Sequence, residues 1–207
     1  WAVLSGMAPP ERALRAIDSV KEHLDTPLGI KKIDPAMADY PTPEDPLTYY
    51  NKGCGENGSV FCHANAWAVI AECMLGRGER AFHYYSQLLP MNAQKKAGQW
   101  RYKAEPYVYC SNIFGPESDR FGLANVSWLT GTAAWMYVAF TQHILGVRPS
   151  WDGLEISPCL PPQWEGVEIT RVFRGCRYHI RIKNGEKLFI PHVQGRTHYE
   201  RIDETAT

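Results

Sequence analysis

The chain has 207 residues, with Lys plus Arg and Asp plus Glu each totalling 22, so its formal net charge is zero. At 44% hydrophobic and 21% charged it has an ordinary globular composition, which excludes wholesale disorder and allows one large domain or two small ones. Zero net charge argues against a nucleic-acid binder or a membrane-surface protein. From the N-terminus, Pro9-Pro10-Glu11 opens a helical run through Leu14, Ile17, Val20 and Leu24, with Pro and Glu in the first turn. Residues 25–58 are rich in Pro and Gly and read as a long irregular loop of the kind that often carries function. A second helix is expected from His63 to Leu75, ended by Gly76, and a third from Glu79 to Leu89, ended by Pro90. Pro106 to Phe114 reads as a short helix and Ser127 to Leu145 as a long one, with Gly146 past its end.

After residue 150 the period changes from helical to two. Gly153-Leu-Glu-Ile, Val167-Glu-Ile-Thr-Arg-Val-Phe and Tyr178-His-Ile-Arg-Ile-Lys alternate apolar and polar residues, with turns at Pro161-Pro162, Gly175 and Asn184-Gly185. The expected division is residues 1–150, mainly helical, and 151–207, a small antiparallel sheet with an irregular polar tail from 186. Short links alternating with long ones fit a barrel of helical hairpins; a plain helical bundle gives the same trace.

The chain starts at Trp1, shows no signal peptide and reads as the interior of something longer. It has no apolar run long enough to span a membrane. The six cysteines lack metal-finger spacing, and reduced thiols in a cytoplasmic protein are expected. No phosphate loop, GxGxxG, HExxH or GxSxG occurs, so nothing supports a nucleotide, zinc or a serine nucleophile. Trp, Tyr and Phe make up 12% of the chain. Aromatic rings stack on the apolar faces of sugars, and they equally fill cores.

Three stretches hold residues suited to chemistry. Gly55-Glu-Asn-Gly-Ser-Val-Phe-Cys-His63 is a polar loop running into a helix. His63 would lie in the first turn, where free N–H groups and the positive dipole end suit an anion; alternatively Glu56 and Asn57 cap the helix and His63 belongs to the core. Asn125 to Trp135 again opens a helix, with Ser127 as N-cap and Thr130, Gly131 and Thr132 offering hydroxyls and close backbone approach, or simply tight helix packing. Glu105-Pro106 is a helix-start arrangement whose carboxylate can also accept from sugar hydroxyls.

At these stretches the sequence resembles the cellobiose and chitobiose phosphorylases, one family of inverting disaccharide phosphorylases. The motifs are SGMAPPERALRAIDSV, ENGSVFCHANAW, KAEPYVYCSNI, SWLTGTAAWMY and ILGVRPSWDGLEISPCLPPQWEGVEITRVFRG, in order over roughly residues 1–183. The resemblance implies a mainly α fold. This chain would be the C-terminal part of an (α/α)6 barrel followed by a small antiparallel, jelly-roll-like β-domain. It implies phosphorolysis of a β-linked disaccharide to an α-sugar 1-phosphate and a free sugar, with no metal or organic cofactor and with phosphate as a substrate. His63, Thr130 and Gly131 match the family's phosphate-holding residues, Glu56 a sugar-contacting Glu, and Tyr50 falls where the acceptor subsite is shaped.

The general acid, an Asp, is expected upstream of Trp1, so the segment alone should not catalyse. Cellobiose phosphorylases share a YPPGxKEN stretch that reads here Tyr50-Asn-Lys-Gly-Cys-Gly-Glu-Asn. Its Lys position is Gly55, and Lys52 comes earlier; the expectation is that Lys52 faces an anionic acceptor such as an aldonic acid. Glu105 is a further candidate sugar contact. A cellobionic acid or chitobiose phosphorylase, a non-catalytic carbohydrate-binding piece, and a hydrolase using Glu105 as second carboxylate are the other readings. The full-length protein is expected to be a homodimer.

Overall fold

Helix α2 (Cys62–Met74) is largely apolar and lacks a marked polar face, and such a helix must be surrounded. In the computed structural model, which describes residues 1–37 and 50–183 and the backbone of 188–191, it is the centre of the main core. Ala66, Val69 and Ile70 of α2 pack with Ala81, Tyr84 and Leu88 of α3 (Gly78–Leu88), with Met136 of α6 (Thr132–Val138), and with Ala139 and Ile144 of the π-helical turns that prolong α6. Helix α1 (Pro10–Ser19), prolonged by a π-helical stretch to Leu24, lays Ala13 and Ile17 against Ala71.

The irregular stretch after α1 contains a two-residue hairpin, β1 (Asp25–Thr26) and β2 (Gly29–Ile30). A single asparagine ties this hairpin to the central helix. Asn65, 3% exposed, accepts from the Ile30 N–H at 2.7 Å and donates to the Ile30 carbonyl at 2.9 Å and the Phe61 carbonyl at 2.8 Å. Its amide thereby does for Ile30 what a neighbouring strand would do. Asn57 repeats the device farther out: it holds both backbone groups of Met37 at 2.6 Å and the Tyr50 carbonyl at 2.9 Å. Residues 38–49 of the expected loop lie outside the described residues.

Three short strands flank the start of α2: β3 (Val60–Phe61), β4 (Cys110–Ile113) and β5 (Ala124–Ser127), with β4 central and both pairings antiparallel. This corrects the expected helix over Pro106–Phe114. The backbone there finds partners on both sides, and cross-strand pairing overrides the helix signal of Pro106. It also shortens the long helix expected from Ser127. Ser127 pairs with Cys110, and helix begins only at Thr132. The link expected over 90–105 is partly helical, with α4 (Pro90–Ala97) and α5 (Gln99–Tyr102). Pro90 ends α3 and also serves as the first residue of α4, where its missing N–H costs nothing.

The remaining strands are antiparallel: β6 (Val147–Pro149), β7 (Gly153–Ile156) and β10 (Leu188–Pro191) in the order β10-β7-β6, and the hairpin of β8 (Gly166–Phe173) with β9 (Cys176–Lys183). Tyr178, Ile180 and Ile182 alternate inward and form a second core with Val147, Leu154 and Ile156. Strand β10 replaces part of the tail expected to be irregular; the rest of the tail lies outside the described residues. Gly146 joins the helical part to these strands: with φ +70° it passes so close to the Ser157 carbonyl that a Cβ there would collide. The architecture is helices plus small antiparallel sheets.

Glu72 of α2 is 0% exposed, with Arg77 and Arg80 each at 3.8 Å and no direct hydrogen bond among the described residues. Burial outweighs the two guanidinium groups and pushes its carboxyl up to about 7. The folded chain therefore binds a proton that the unfolded chain releases near pH 4.5, and stability falls as pH rises from there to about 7. Urea unfolding of the full chain should show Glu72→Gln gaining stability relative to wild type between pH 5 and pH 8, by about 3 kcal/mol at most; a pH-independent difference would contradict the buried acid. Asn65→Leu, which strands both Ile30 groups, should cost about 2 to 4 kcal/mol in the same assay.

Candidate functional site

Strand β3 delivers the chain into α2 so that His63 occupies its first turn. The imidazole is packed among rings: centroids lie 5.8 Å from Phe61, 5.1 Å from Trp67 and 5.9 Å from Trp135. Its Nε2 is buried and has no hydrogen-bond partner among the described residues. From the other side comes Gly131, the residue before α6. A Cβ on Gly131 would lie 3.1 Å from His63 Cε1, so only glycine lets this backbone approach the ring without displacing it.

Thr130 precedes Gly131. Its hydroxyl lies 2.6 Å from that of Thr132 and accepts from the Thr132 N–H at 3.1 Å, while Thr132 reaches the Cys110 carbonyl at 3.4 Å. The backbone before them is strained, with Val126 at φ +52° and Trp128 at φ +71°, conformations that L side chains adopt at a cost of about 1 to 3 kcal/mol each. That turn replaces the N-cap expected of Ser127. Gly131 is thus brought against the His63 ring, with Thr130 one residue before it.

Beside them lies a hollow of about 450 Å³. Phe61, in ring contact with His63, forms part of its wall. Tyr50 and Glu56 line it, facing Ser111, Asn112 and Asn125 from β4 and β5. The Tyr50 ring covers Gly55 so closely that no side chain could be accommodated there. Sequence reasoning missed Lys32 in this wall. Its ammonium is paired with the Glu56 carboxylate and stands 4.6 Å over the Phe61 ring. Lys32 carries no motif signal; it reaches the hollow through the bridge between Lys31 and Val60 that sets β2 beside β3.

Lys52 and Glu105 fall elsewhere. Lys52 lines an adjoining hollow of about 320 Å³ with Glu117, Asp119 and Arg120. Glu105 accepts from the indole N–H of Trp128 at 3.0 Å. Its own backbone N–H and then that indole hold its carboxyl below the usual carboxylate range. All six cysteines are free thiols. Among the described residues no His, Cys, Asp and Glu cluster suits a metal, and no helix is long and apolar enough to cross a membrane.

Comparison with known proteins gives two family matches: the glycosyl hydrolase 94 superfamily catalytic domain over residues 1–146 and the glycosyl hydrolase family 65 C-terminal domain over residues 147–190. The N,N'-diacetylchitobiose phosphorylase of Vibrio proteolyticus is 44% identical over 190 residues, covering 90% of this chain and 23% of that protein. Solabiose phosphorylase of Paenibacillus borealis is 39% identical, covering 89% and 24%. Cellobionic acid phosphorylase of Neurospora crassa is 29% identical, covering 94% and 26%. The chain spans about a quarter of the length of these curated relatives. With the first match running through most of its length, the chain belongs to the glycosyl hydrolase 94 superfamily.

Proposed function

We propose that this chain is part of an inverting disaccharide phosphorylase, in which residues 1–150 complete an (α/α)6 barrel and residues 151–207 form the C-terminal β-domain. In such a reaction an oxygen of inorganic phosphate attacks the anomeric carbon of a β-linked disaccharide from the face opposite the leaving group. The glycosidic C–O bond breaks, a general acid protonates the departing oxygen, and an α-sugar 1-phosphate and a free sugar result. The acid is an Asp elsewhere in the complete protein.

The observation that carries this reading is the buried Nε2 of His63, without a partner among the described residues, at the point where Gly131 meets the ring. A buried ring nitrogen without a partner is costly, and a bound anion would satisfy it. We assign phosphate binding to His63, the Thr130 hydroxyl and the Gly131 backbone. Phosphate held there sits one ring away from the hollow lined by Tyr50 and Glu56, which we assign to sugar. Aromatic faces and hydroxyl and amide groups in one wall suit a polyhydroxylated ring. Glu105, ionised and half-buried, can accept from a sugar hydroxyl at the edge of the site. Lys52 stands in the adjoining hollow and contributes only where a substrate extends that far. The relatives' names direct the choice of substrates: N,N'-diacetylchitobiose, solabiose and cellobionic acid, with cellobiose.

The complete protein should cleave at least one of these substrates only when phosphate is present, giving an α-configured sugar 1-phosphate identified by phosphorus and proton NMR. Release of free sugars without phosphate would overturn the reading in favour of hydrolysis. Loss of one contact to a charged phosphate costs about 1.5 to 3 kcal/mol. His63→Ala should accordingly raise the KM for phosphate about ten- to a hundredfold and lower turnover. An unchanged phosphate dependence would refute the assignment.

A further inference from the structure

The sugar hollow contains a fixed ion pair that no motif announces. Lys32 follows directly on the bridge at Lys31 and donates its backbone N–H to the Ser59 carbonyl at 2.9 Å, so its Cα is held in the sheet rather than on a free loop. Its side chain is 23% exposed, pinned by Glu56 on one side and the Phe61 ring on the other. An ammonium has three donors. Glu56 takes one of them through Oε2, and its Oε1 has no hydrogen-bond partner among the described residues. Among the described residues lining the hollow, Lys32 and Glu56 are the only acidic or basic side chains.

We infer that the Lys32–Glu56 pair is a clamp for neighbouring hydroxyls of a neutral sugar. One hydroxyl accepts from the Lys32 ammonium and the next donates to the Glu56 carboxylate. A neutral diol can use both halves of the pair, because each hydroxyl both donates and accepts. The carboxylate of a sugar acid, which accepts and cannot donate, can use only the Lys32 half. To reach Lys32 this carboxylate must approach Glu56, and like charges at contact distance disfavour binding. The pair therefore selects a neutral acceptor sugar against an aldonate or uronate, contrary to the anionic acceptor expected from Lys52. The aromatic floor supports the same choice, since Phe61 holds the cation in place and so reduces the cost of ordering it on binding.

This inference rests on the phosphorylase reading only for the word acceptor; the sugar-binding claim is tested separately. Titration calorimetry on the complete protein, with D-glucose, N-acetyl-D-glucosamine, D-gluconate, D-glucuronate and inorganic phosphate as probes, is the experiment. At least one neutral sugar should bind more tightly than both anionic ones. Lys32→Met should weaken that sugar about ten- to a hundredfold and leave phosphate affinity within twofold, and Lys32→Arg should recover part of the loss. Three results would overturn the clamp: an anionic sugar binding at least as tightly as the neutral ones, no sugar binding at all, or Lys32→Met leaving the neutral sugar unchanged. Equal losses for sugar and phosphate would assign Lys32 a purely structural role and overturn it too. Failure of phosphate-dependent cleavage alongside intact Lys32-dependent sugar binding would sink the phosphorylase reading alone.

Discussion

The side-chain amide of Asn65 is the interaction on which the site's geometry depends. One turn into the central helix, it takes both backbone groups of Ile30 and the carbonyl of Phe61. A two-residue hairpin cannot hold itself in water. Its position beside β3 is imposed by this amide, and everything downstream inherits that position: the bridge from Lys31 to Val60, the pairing of β3 with β4, and the entry of the chain into α2. Because Asn65 sits two residues after His63, the same clasp that closes the core also sets the imidazole's location. Asn57 extends the principle to the rim, where it holds the Tyr50 backbone against the hollow. Buried amides used in this way specify one arrangement, since any other leaves several polar groups unpaired.

The site combines a dry part with a wet part. His63 lies among Phe61, Trp67 and Trp135, where an unpartnered nitrogen is expensive and an anion would be strongly held. The hollow next to it is walled by amides, hydroxyls and one ion pair, suited to an uncharged polar ligand. Phe61 belongs to both. Its ring touches His63 and carries the Lys32 cation, so the two binding functions share one rigid wall. The strained run through Val126 and Trp128 leads into Thr130 and Gly131, and Gly131 meets the imidazole. Strain of that kind persists only where surrounding structure over-determines it, here through pairing of β5 with β4 and the hydroxyl bonds of Thr130 and Thr132.

Periodicity made α1, α2, α3 and the β8–β9 hairpin legible, because each buries one face or its whole circumference at regular spacing. The polar run before α2 and the Thr-Gly pair before α6 could be recognised as chemistry from residue type and from resemblance. The failures have distinct causes. At Pro106–Phe114 and at Ser127 the local signals favour helix, and partners distant in sequence convert the segments to strands. At Pro90 a helix breaker proved equally a helix opener. Lys32 went unnoticed because a lysine after a two-residue strand has no pattern of its own.

What the sequence determined by itself is the set of groups and their family: a histidine entering a helix, a threonine and glycine before another, and a superfamily whose motifs run over roughly residues 1–183. What only the tertiary structure decided is which groups face each other. It set Gly131 against His63, set Lys52 in the adjoining hollow rather than the one lined by Tyr50, and paired Lys32 with Glu56 in the wall of the hollow. The physical reason is that these neighbours are joined through β2, β3 and β4, whose pairing depends on backbone groups that every residue carries alike. Side-chain identity can mark a chemical group, but the register of hydrogen-bonded backbone decides where that group points.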